Sequence, residues 1–278
     1  MIRLIPDMPE RIYHSDPCEV PSLTQSIAHT LVCESPAKAY LAHPKLGNAP
    51  RKVTDEMELG QAAHAMILGV GAGIVVIDAD SYKAKHPQEM AAIAREAGKV
   101  PLLSAKHAAL EVAVEVIRAK LCALGVRFDG QSEVSVFWEE TASDGTIVQC
   151  RARFDHLIAP RILDVKWTAD ANPAVLARHM VDFGYDIQDA AYRSALRAVM
   201  PELAGREDMT FLFCEKVAPN AVTPAQCAGS MRQLGELKWR RAIDTWAQCL
   251  RTGVWPDYVT EPVRLEAPSY ELNRWLAA

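Results

Sequence analysis

Cys150-Arg151-Ala152-Arg153-Phe154-Asp155-His156-Leu157-Ile158, followed by Ala159-Pro160-Arg161 and then Ile162-Leu163-Asp164-Val165-Lys166-Trp167-Thr168, is the stretch on which the fold turns. Both flanks are β-rich and alternate, and the proline between them punctuates a turn. The spacing predicts a strand over Ile147 to Ile158 and another over Ile162 to Thr168. Side chains of a strand alternate between two faces, so Arg151, Arg153 and Asp155 share one face, and Asp164 shares a face with Lys166. A turn symmetric about Ala159-Pro160 sets Asp155 opposite Asp164 and Arg153 opposite Lys166. Two carboxylates facing each other on a sheet repel, with β-carbons about 5 Å apart. The arrangement makes sense when a cation sits between them. Oxygen ligands, an adjacent backbone carbonyl and water suit Mg²⁺ or Mn²⁺ better than zinc. The bland alternative is a surface sheet with ordinary ion pairs, Asp155 to Lys166 and Asp164 to Arg153.

Working outward, Ser132 to Glu139 alternates like a strand, and Ser143-Asp144-Gly145-Thr146 is a hairpin turn signal. The three strands are expected to form an antiparallel meander. A two-residue loop at Asp144-Gly145 puts Glu133 on the face away from Asp155, whereas a three-residue loop ending in Gly145 puts it directly opposite. Upstream, Ser22 to Leu31 and Pro36 to Leu41 read as short helices, with Ser35 as an N-cap before a first-turn proline. The charged run Arg51 to Glu58 leads into a helix from about Asp55 to Leu68 that carries His64. Ala62 to Ile77 is too short and too glycine-rich for a membrane span and reads as helix, turn and strand. Residues 87–97 and 104–124 are helix-periodic.

Downstream, Asn172-Pro173 opens a helix interrupted near Phe183-Gly184 and resumed to about Val199. Met209 to Val217 reads as a strand, and Thr223-Pro224 as the start of a long helix to Leu250. The order of elements predicts an α/β layered fold with a mixed sheet. Gln188 and Tyr192 are spaced i, i+4 and share a helix face, which is also what a polar surface patch would show. A lone histidine such as His64 is more often a satisfied interior residue than a ligand.

The chain has 278 residues, half of them apolar, enough for a full core. Its net charge is −5 and neither half has a basic arm, which excludes nonspecific coating of nucleic acid by bulk charge. Seven cysteines without a CxxC pair exclude a disulfide framework and a structural zinc site, and point to a reduced cytoplasmic chain with buried thiols. The first ten residues show no signal-peptide pattern.

Together these residues resemble the PD-(D/E)XK nucleases, in particular the exodeoxyribonuclease VIII (RecE-type) family of phage and prophage recombination systems. The resemblance runs through Leu59-Gly60-Gln61-Ala62-Ala63-His64, Glu133, Arg153-Phe154-Asp155, Asp164-Val165-Lys166 and Gln188-x-x-x-Tyr192. It extends to Pro21-Ser22-Leu23-Thr24 with Ser35-Pro36, and to Gly253-Val254-Trp255-Pro256-Asp257-Tyr258. The proline before the first aspartate is replaced by Phe154, and the second acid is Asp164 rather than glutamate. Residues 69–130 match no motif of the family.

The resemblance implies one nuclease domain over residues 1–278. Residues 1–130 would be mainly helical, 131–217 the catalytic sheet and helix, and 218–278 a C-terminal helix and tail. It implies hydrolysis of DNA from duplex ends, 5′-to-3′, leaving 3′ single-stranded tails. Asp155, Asp164, the Val165 carbonyl and His64 would hold Mg²⁺, with Mn²⁺ able to substitute, and Lys166 would serve the attacking water or the phosphoryl oxygens. Glu133 would join the catalytic set. Gln188 and Tyr192 would position the DNA strand, and Arg153 would clamp a phosphate unless it makes a structural ion pair. A ring-shaped homo-oligomer and a RecT-like single-strand annealing partner are also implied, with no membrane association. The rivals are an endonuclease of the same superfamily and a catalytically silent DNA-binding module.

Overall fold

The computed structural model describes residues 2–49, 53–259 and 261–277. Arg51 and Lys52 of the charged run therefore lie outside the described residues. In chain order the elements are β1 (Arg3–Ile5), α1 (Glu10–His14), α2 (Gln25–Cys33), α3 (Pro36–Ala42), α4 (Asp55–Leu68), β2 (Ile74–Ile77), α5 (Lys85–Glu96), β3 (Val100–Leu103) and α6 (Ser104–Ala123). There follow β4 (Gln131–Thr141), β5 (Ile147–Ile158), β6 (Arg161–Thr168), α7 (Pro173–Asp182), α8 (Tyr185–Val199), β7 (Asp208–Glu215), β8 (Val222–Ala225), α9 (Gly229–Thr252) and α10 (Ser269–Leu276).

The helix starts follow from their first residues. Thr24, Ser35 and Thr54 each accept a backbone N–H of the first turn and cap α2, α3 and α4. Three acidic residues in the first turn of α4 suit the positive end of its dipole, and Gly69 ends that helix with φ of 75°.

Six strands form one mixed sheet in the order β1-β4-β5-β6-β7-β8, antiparallel except for the β6–β7 pair. β2 and β3 pair in parallel as a separate small sheet. One hydrophobic core lies between the main sheet and α2, α8 and α9, built on Val134, Trp138, Phe154, Phe211, Ile187 and Trp246. A second lies between the opposite face and α4 and α6, built on Ile67, Leu102, Ile117, Leu163, Val165 and Leu212. The result is helix, sheet, helix in three layers.

The meander adopts the predicted register. His156 pairs with Leu163, Leu157 with Ile162 and Ile158 with Arg161, around a two-residue turn. The β4–β5 loop has three residues between Ala142 and Thr146, whose backbones hydrogen-bond, and it ends in Gly145 at φ of 86°. Every β4–β5 pair then follows one register, and Glu133 falls opposite Asp155. The ladder skips that pair, and Glu133 has a left-handed φ of 56°. Backbone strain of this kind is concentrated at functional positions.

Four expectations are corrected. Thr223-Pro224 does not start the long helix: Val222–Ala225 is the edge strand β8, paired with β7 through Phe211 to Cys214. Proline is tolerated on an edge because no inward N–H is needed there, and the Thr223 hydroxyl donates to the Ala171 carbonyl instead of capping a helix. The short strands β1 and β3 were not foreseen, both being too short to show alternation. Neither Asp155 with Asp164 nor Arg153 with Lys166 forms a ladder pair, since β5–β6 pairing stops at His156. Of the cysteines, Cys150, Cys214, Cys227 and Cys249 are buried, but Cys33 and Cys122 are exposed; all seven are free thiols. Among the described residues no helix is long and apolar enough to cross a membrane.

α8 and α9 approach so closely at Gly235 that a β-carbon there would overlap the backbone carbonyl of Asp186. Gly235→Ala is expected to force the helices apart and cost about 1–3 kcal/mol, read as a lower urea midpoint. An unchanged midpoint would show that the contact relaxes freely.

Candidate active site

The β5–β6 pairing ends just where the charged residues begin. Beyond it, Asp155 Oδ2 accepts the Val165 N–H at 2.7 Å, a side chain replacing the next rung of the ladder. Asp155 is thereby bonded to the strand that carries Asp164 and Lys166.

Helices on both faces complete the cluster. From α4, His64 Nε2 lies 2.7 Å from Asp155 Oδ2, and His64 Nδ1 lies 3.3 Å from Glu133 Oε1. From α8, Gln188 Nε2 donates to Asp164 Oδ1 at 2.5 Å, while its Oε1 accepts from Lys166 Nζ at 2.9 Å. Lys166 Nζ also lies 2.5 Å from Asp164 Oδ2. That ion pair lacks hydrogen-bond geometry, so Asp164 Oδ2 is a buried carboxylate oxygen without a hydrogen-bond donor.

The site is nearly dry. The Asp164 side chain is 2% exposed and that of Lys166 16%, which strengthens every charge interaction. Burial raises the Asp164 carboxyl above its ordinary range, and the nearby Asp155 charge raises it further against the pull of Lys166. Burial also opposes ionisation of Asp155, but His64, Lys166 and the Val165 N–H outweigh it and hold that carboxyl low. Burial disfavours charge on His64, yet Asp155, Glu133 and Asp164 lift it to about 9. Burial acts likewise against the Lys166 ammonium, and Asp164, Tyr185 and Asp155 more than offset it. Two carboxylates and two cations therefore compensate one another.

The remaining predicted residues are also brought here, though not to the surface. Arg153 Nε lies 2.5 Å from Glu133 Oε2, and its Nη1 donates to the Met8 carbonyl and Ser135 Oγ. This is the structural ion pair weighed against a phosphate clamp. The Tyr192 hydroxyl donates to the Arg153 carbonyl at 2.9 Å, tying α8 to β5. Gln188 is buried and binds Asp164 and Lys166. As placed, these three side chains brace the acidic cluster. A cleft of about 1230 Å³ opens over His64, Glu133, Arg153, Asp155 and Tyr192.

Among the described residues no three His, Cys, Asp or Glu side chains are arranged as a ready cage for an ion. His64 and Lys166 hold the carboxylates instead. The donor set nevertheless fits a hard divalent cation. Asp164 Oδ2 lacks a hydrogen bond, and its carboxyl is raised by a neighbouring carboxylate, a repulsion that a cation relieves. His64 fits less directly, because the nitrogen facing Asp155 cannot carry a proton to it and ligate an ion at once.

Two features escaped the sequence reading. Glu10 on α1 reaches the same cleft, with Gln61 Nε2 donating to both its oxygens at 2.9 and 3.0 Å. The ring of Tyr185 lies beside Lys166, with Nζ 4.5 Å from its centroid. The signal for the second was the helix break at Phe183-Gly184, which ends four residues before Gln188.

A family model described as a PDDEXK-like domain of unknown function, DUF3799, matches residues 22–264. The solved structure of a "Putative exonuclease" from Eubacterium rectale superposes with a TM-score of 0.62 and 13% identity, covering 96% of this chain and 98% of its own. At that identity the likeness is one of fold. A second solved structure, SSO0001, is 13% identical over 67% of this chain and 86% of its own, with a TM-score of 0.28 that carries no argument. No curated protein matches the sequence.

Proposed function

The chain belongs to the DUF3799 family of PDDEXK-like domains, and on that premise we propose that it is a metal-dependent deoxyribonuclease acting on duplex ends. The observation that carries the reading is the dry cluster of Asp155, Asp164, Lys166 and Gln188 at the splayed end of the β5–β6 pairing.

Hydrolysis of a phosphodiester needs a water aligned for in-line attack, neutralisation of the charge gathering on the phosphoryl oxygens, and a proton for the leaving oxygen. Asp155, Asp164 and the Val165 carbonyl would hold Mg²⁺, or Mn²⁺ in its place. The ion, when bound, lowers the pKa of water and neutralises phosphoryl charge. Lys166 would bring its ammonium to the attacking water or a phosphoryl oxygen. Gln188 acts on both partners at once: it accepts from Lys166 and donates to Asp164, and so sets the distance between cation and carboxylate. His64 pairs with Asp155; without its proton it would join the ligands, as the resemblance implies. Glu133, clamped by Arg153, would hold the imidazole from its other side. Tyr192 would keep β5 in place through the Arg153 carbonyl.

The choice of ends over internal sites is supported by the name of the Eubacterium rectale protein and by the resemblance of the motifs to those of RecE-type enzymes. Digestion 5′-to-3′, leaving 5′-phosphate products and 3′ tails, belongs to the same proposal. So do a ring-shaped homo-oligomer that keeps a chain of net charge −5 on its substrate, and a RecT-like annealing partner.

The test compares a linear duplex carrying one labelled strand with the same DNA closed into a circle, in Mg²⁺. The expected result is degradation of the linear form alone, from the 5′ end. Cutting of the circle would replace the proposal by an endonuclease. Binding without cutting of either, in Mg²⁺ and in Mn²⁺, would leave a silent binding module.

A further inference from the structure

We propose that Tyr185 is a positioning residue, its ring face and that of Phe211 holding the Lys166 ammonium against Asp164 and Gln188. Lys166 Nζ lies 4.5 Å from the Tyr185 ring centroid and 5.6 Å from that of Phe211. The rings are themselves fixed. Tyr185 and Phe211 stack at 5.6 Å with their planes 30° apart, and Phe213 lies 5.9 Å from Tyr185. Parallel pairing sets Asp164 beside Phe211 and Lys166 beside Phe213, so β7 supplies the floor of the enclosure and α8 its wall.

The helix break makes this possible. Gly184 adopts a left-handed φ of 69°, and a β-carbon there would strike the His29 ring. The chain changes direction at that point, so that α8 begins on Tyr185 and its first turn faces Lys166. Gln188 follows three residues later on the same face.

An ammonium on a four-carbon stem is mobile unless something confines it. Gln188 gives it one acceptor and Asp164 one countercharge. A second carboxylate in place of the rings would occupy another donor. A ring face attracts the charge without binding any particular N–H, which leaves a donor for the phosphoryl oxygen or the attacking water. The Tyr185 hydroxyl makes no hydrogen bond among the described residues, so the ring is the part that acts on Lys166.

The inference rests on the proposed function, in that the positioned ammonium serves phosphodiester cleavage. Two readouts keep the two separable. The first is steady-state cleavage of linear duplex. Tyr185→Phe is expected within about twofold of wild type, and Tyr185→Leu to lose about tenfold in kcat at unchanged KM. Mono-, di- and trifluorophenylalanine at position 185 keep the shape but drain the ring face, and kcat should fall stepwise with each fluorine. The second readout is the ¹H–¹⁵N resonance of the Lys166 ammonium, assigned by its absence in Lys166→Arg, which should move in Tyr185→Leu and along the fluorine series. Wild-type cleavage with kcat and resonance unmoved across the series would overturn the role of Tyr185 and leave the nuclease standing. A resonance that moves in a protein that never cleaves would overturn the nuclease and keep the enclosure. Loss of activity equal in Tyr185→Phe and Tyr185→Leu would also overturn it, since the ring would then not be the active part.

Discussion

Lys166→Ala is expected to lower cleavage of linear duplex by roughly 10²- to 10³-fold, the usual cost of removing one preorganised donor from a dry site. Duplex affinity should stay within about threefold, because a side chain 16% exposed contributes little to the encounter with phosphates. Lys166→Arg should not rescue, since a planar guanidinium cannot occupy the space between Asp164, Gln188 and the Tyr185 ring that a compact ammonium fills. Removing the cation leaves Asp164 buried and uncompensated, so folding is checked by circular dichroism, with Lys166→Met as the volume-preserving companion. Wild-type cleavage by either folded variant would remove Lys166 from the mechanism.

Arg151→Ala is expected to cost about 3–5 kcal/mol of stability, the penalty for breaking a buried ion pair from one side. Arg151 Nη1 lies 3.0 Å from Asp16 Oδ2 and donates to Ser22 Oγ, and both charged side chains are almost fully buried. Asp16 also accepts the Ser22 N–H and hydroxyl, each at 2.8 Å, and lies 3.2 Å from His43 Nε2. The cluster fastens the segment before α2 to β5, where the Leu23 N–H donates to the Gln149 carbonyl and the Arg151 N–H to the Leu23 carbonyl. Burial alone would raise the Asp16 carboxyl, but His43, Arg151 and Ser22 hold it far below its ordinary value. A carboxyl depressed on folding stabilises the protein above its unfolded pKa of about 3.9, and that contribution is lost as pH falls from there toward the folded value. Urea unfolding at pH 7 and pH 3 should therefore show a smaller gap between wild type and Arg151→Ala at the acid end. A variant as stable as wild type at pH 7 would contradict this account of the cluster.

The legible parts of the site were those governed by period and turn length. A symmetric turn at Ala159-Pro160 gave the register that the β5–β6 ladder follows as far as His156, and Asp155, just beyond it, bonds the strand that carries Asp164. Gly145 carried the decision on Glu133, but choosing between a two- and a three-residue loop needed the left-handed φ that only the folded chain displays. Gln188 was harder to read. Its spacing with Tyr192 suits a polar surface patch equally well, yet both are buried, as are Asp186, Asp189 and Arg193, because α8 is pressed between the sheet and α9. Gly235 permits that approach, and the polar groups find partners inside: Lys238 for Asp186, and Arg193 for Asp189. Burial of a polar helix depends on a neighbour more than 40 residues away, and no local pattern announces it. Arg153 shows the same limit, since the Met8 carbonyl and Glu133 that claim it are both remote in sequence.

The central claim is that the Asp155, Asp164 and Lys166 cluster is a metal-dependent phosphodiesterase centre. Its most direct test is the rate of linear-duplex cleavage against Mg²⁺ concentration, for wild type and for Asp164→Asn, which keeps the side-chain shape and removes the charge. The account predicts saturable cleavage by the wild type, abolished by chelator, and none by Asp164→Asn at any Mg²⁺ concentration. Cleavage by Asp164→Asn at the wild-type rate, or wild-type cleavage that persists in chelator, would contradict it.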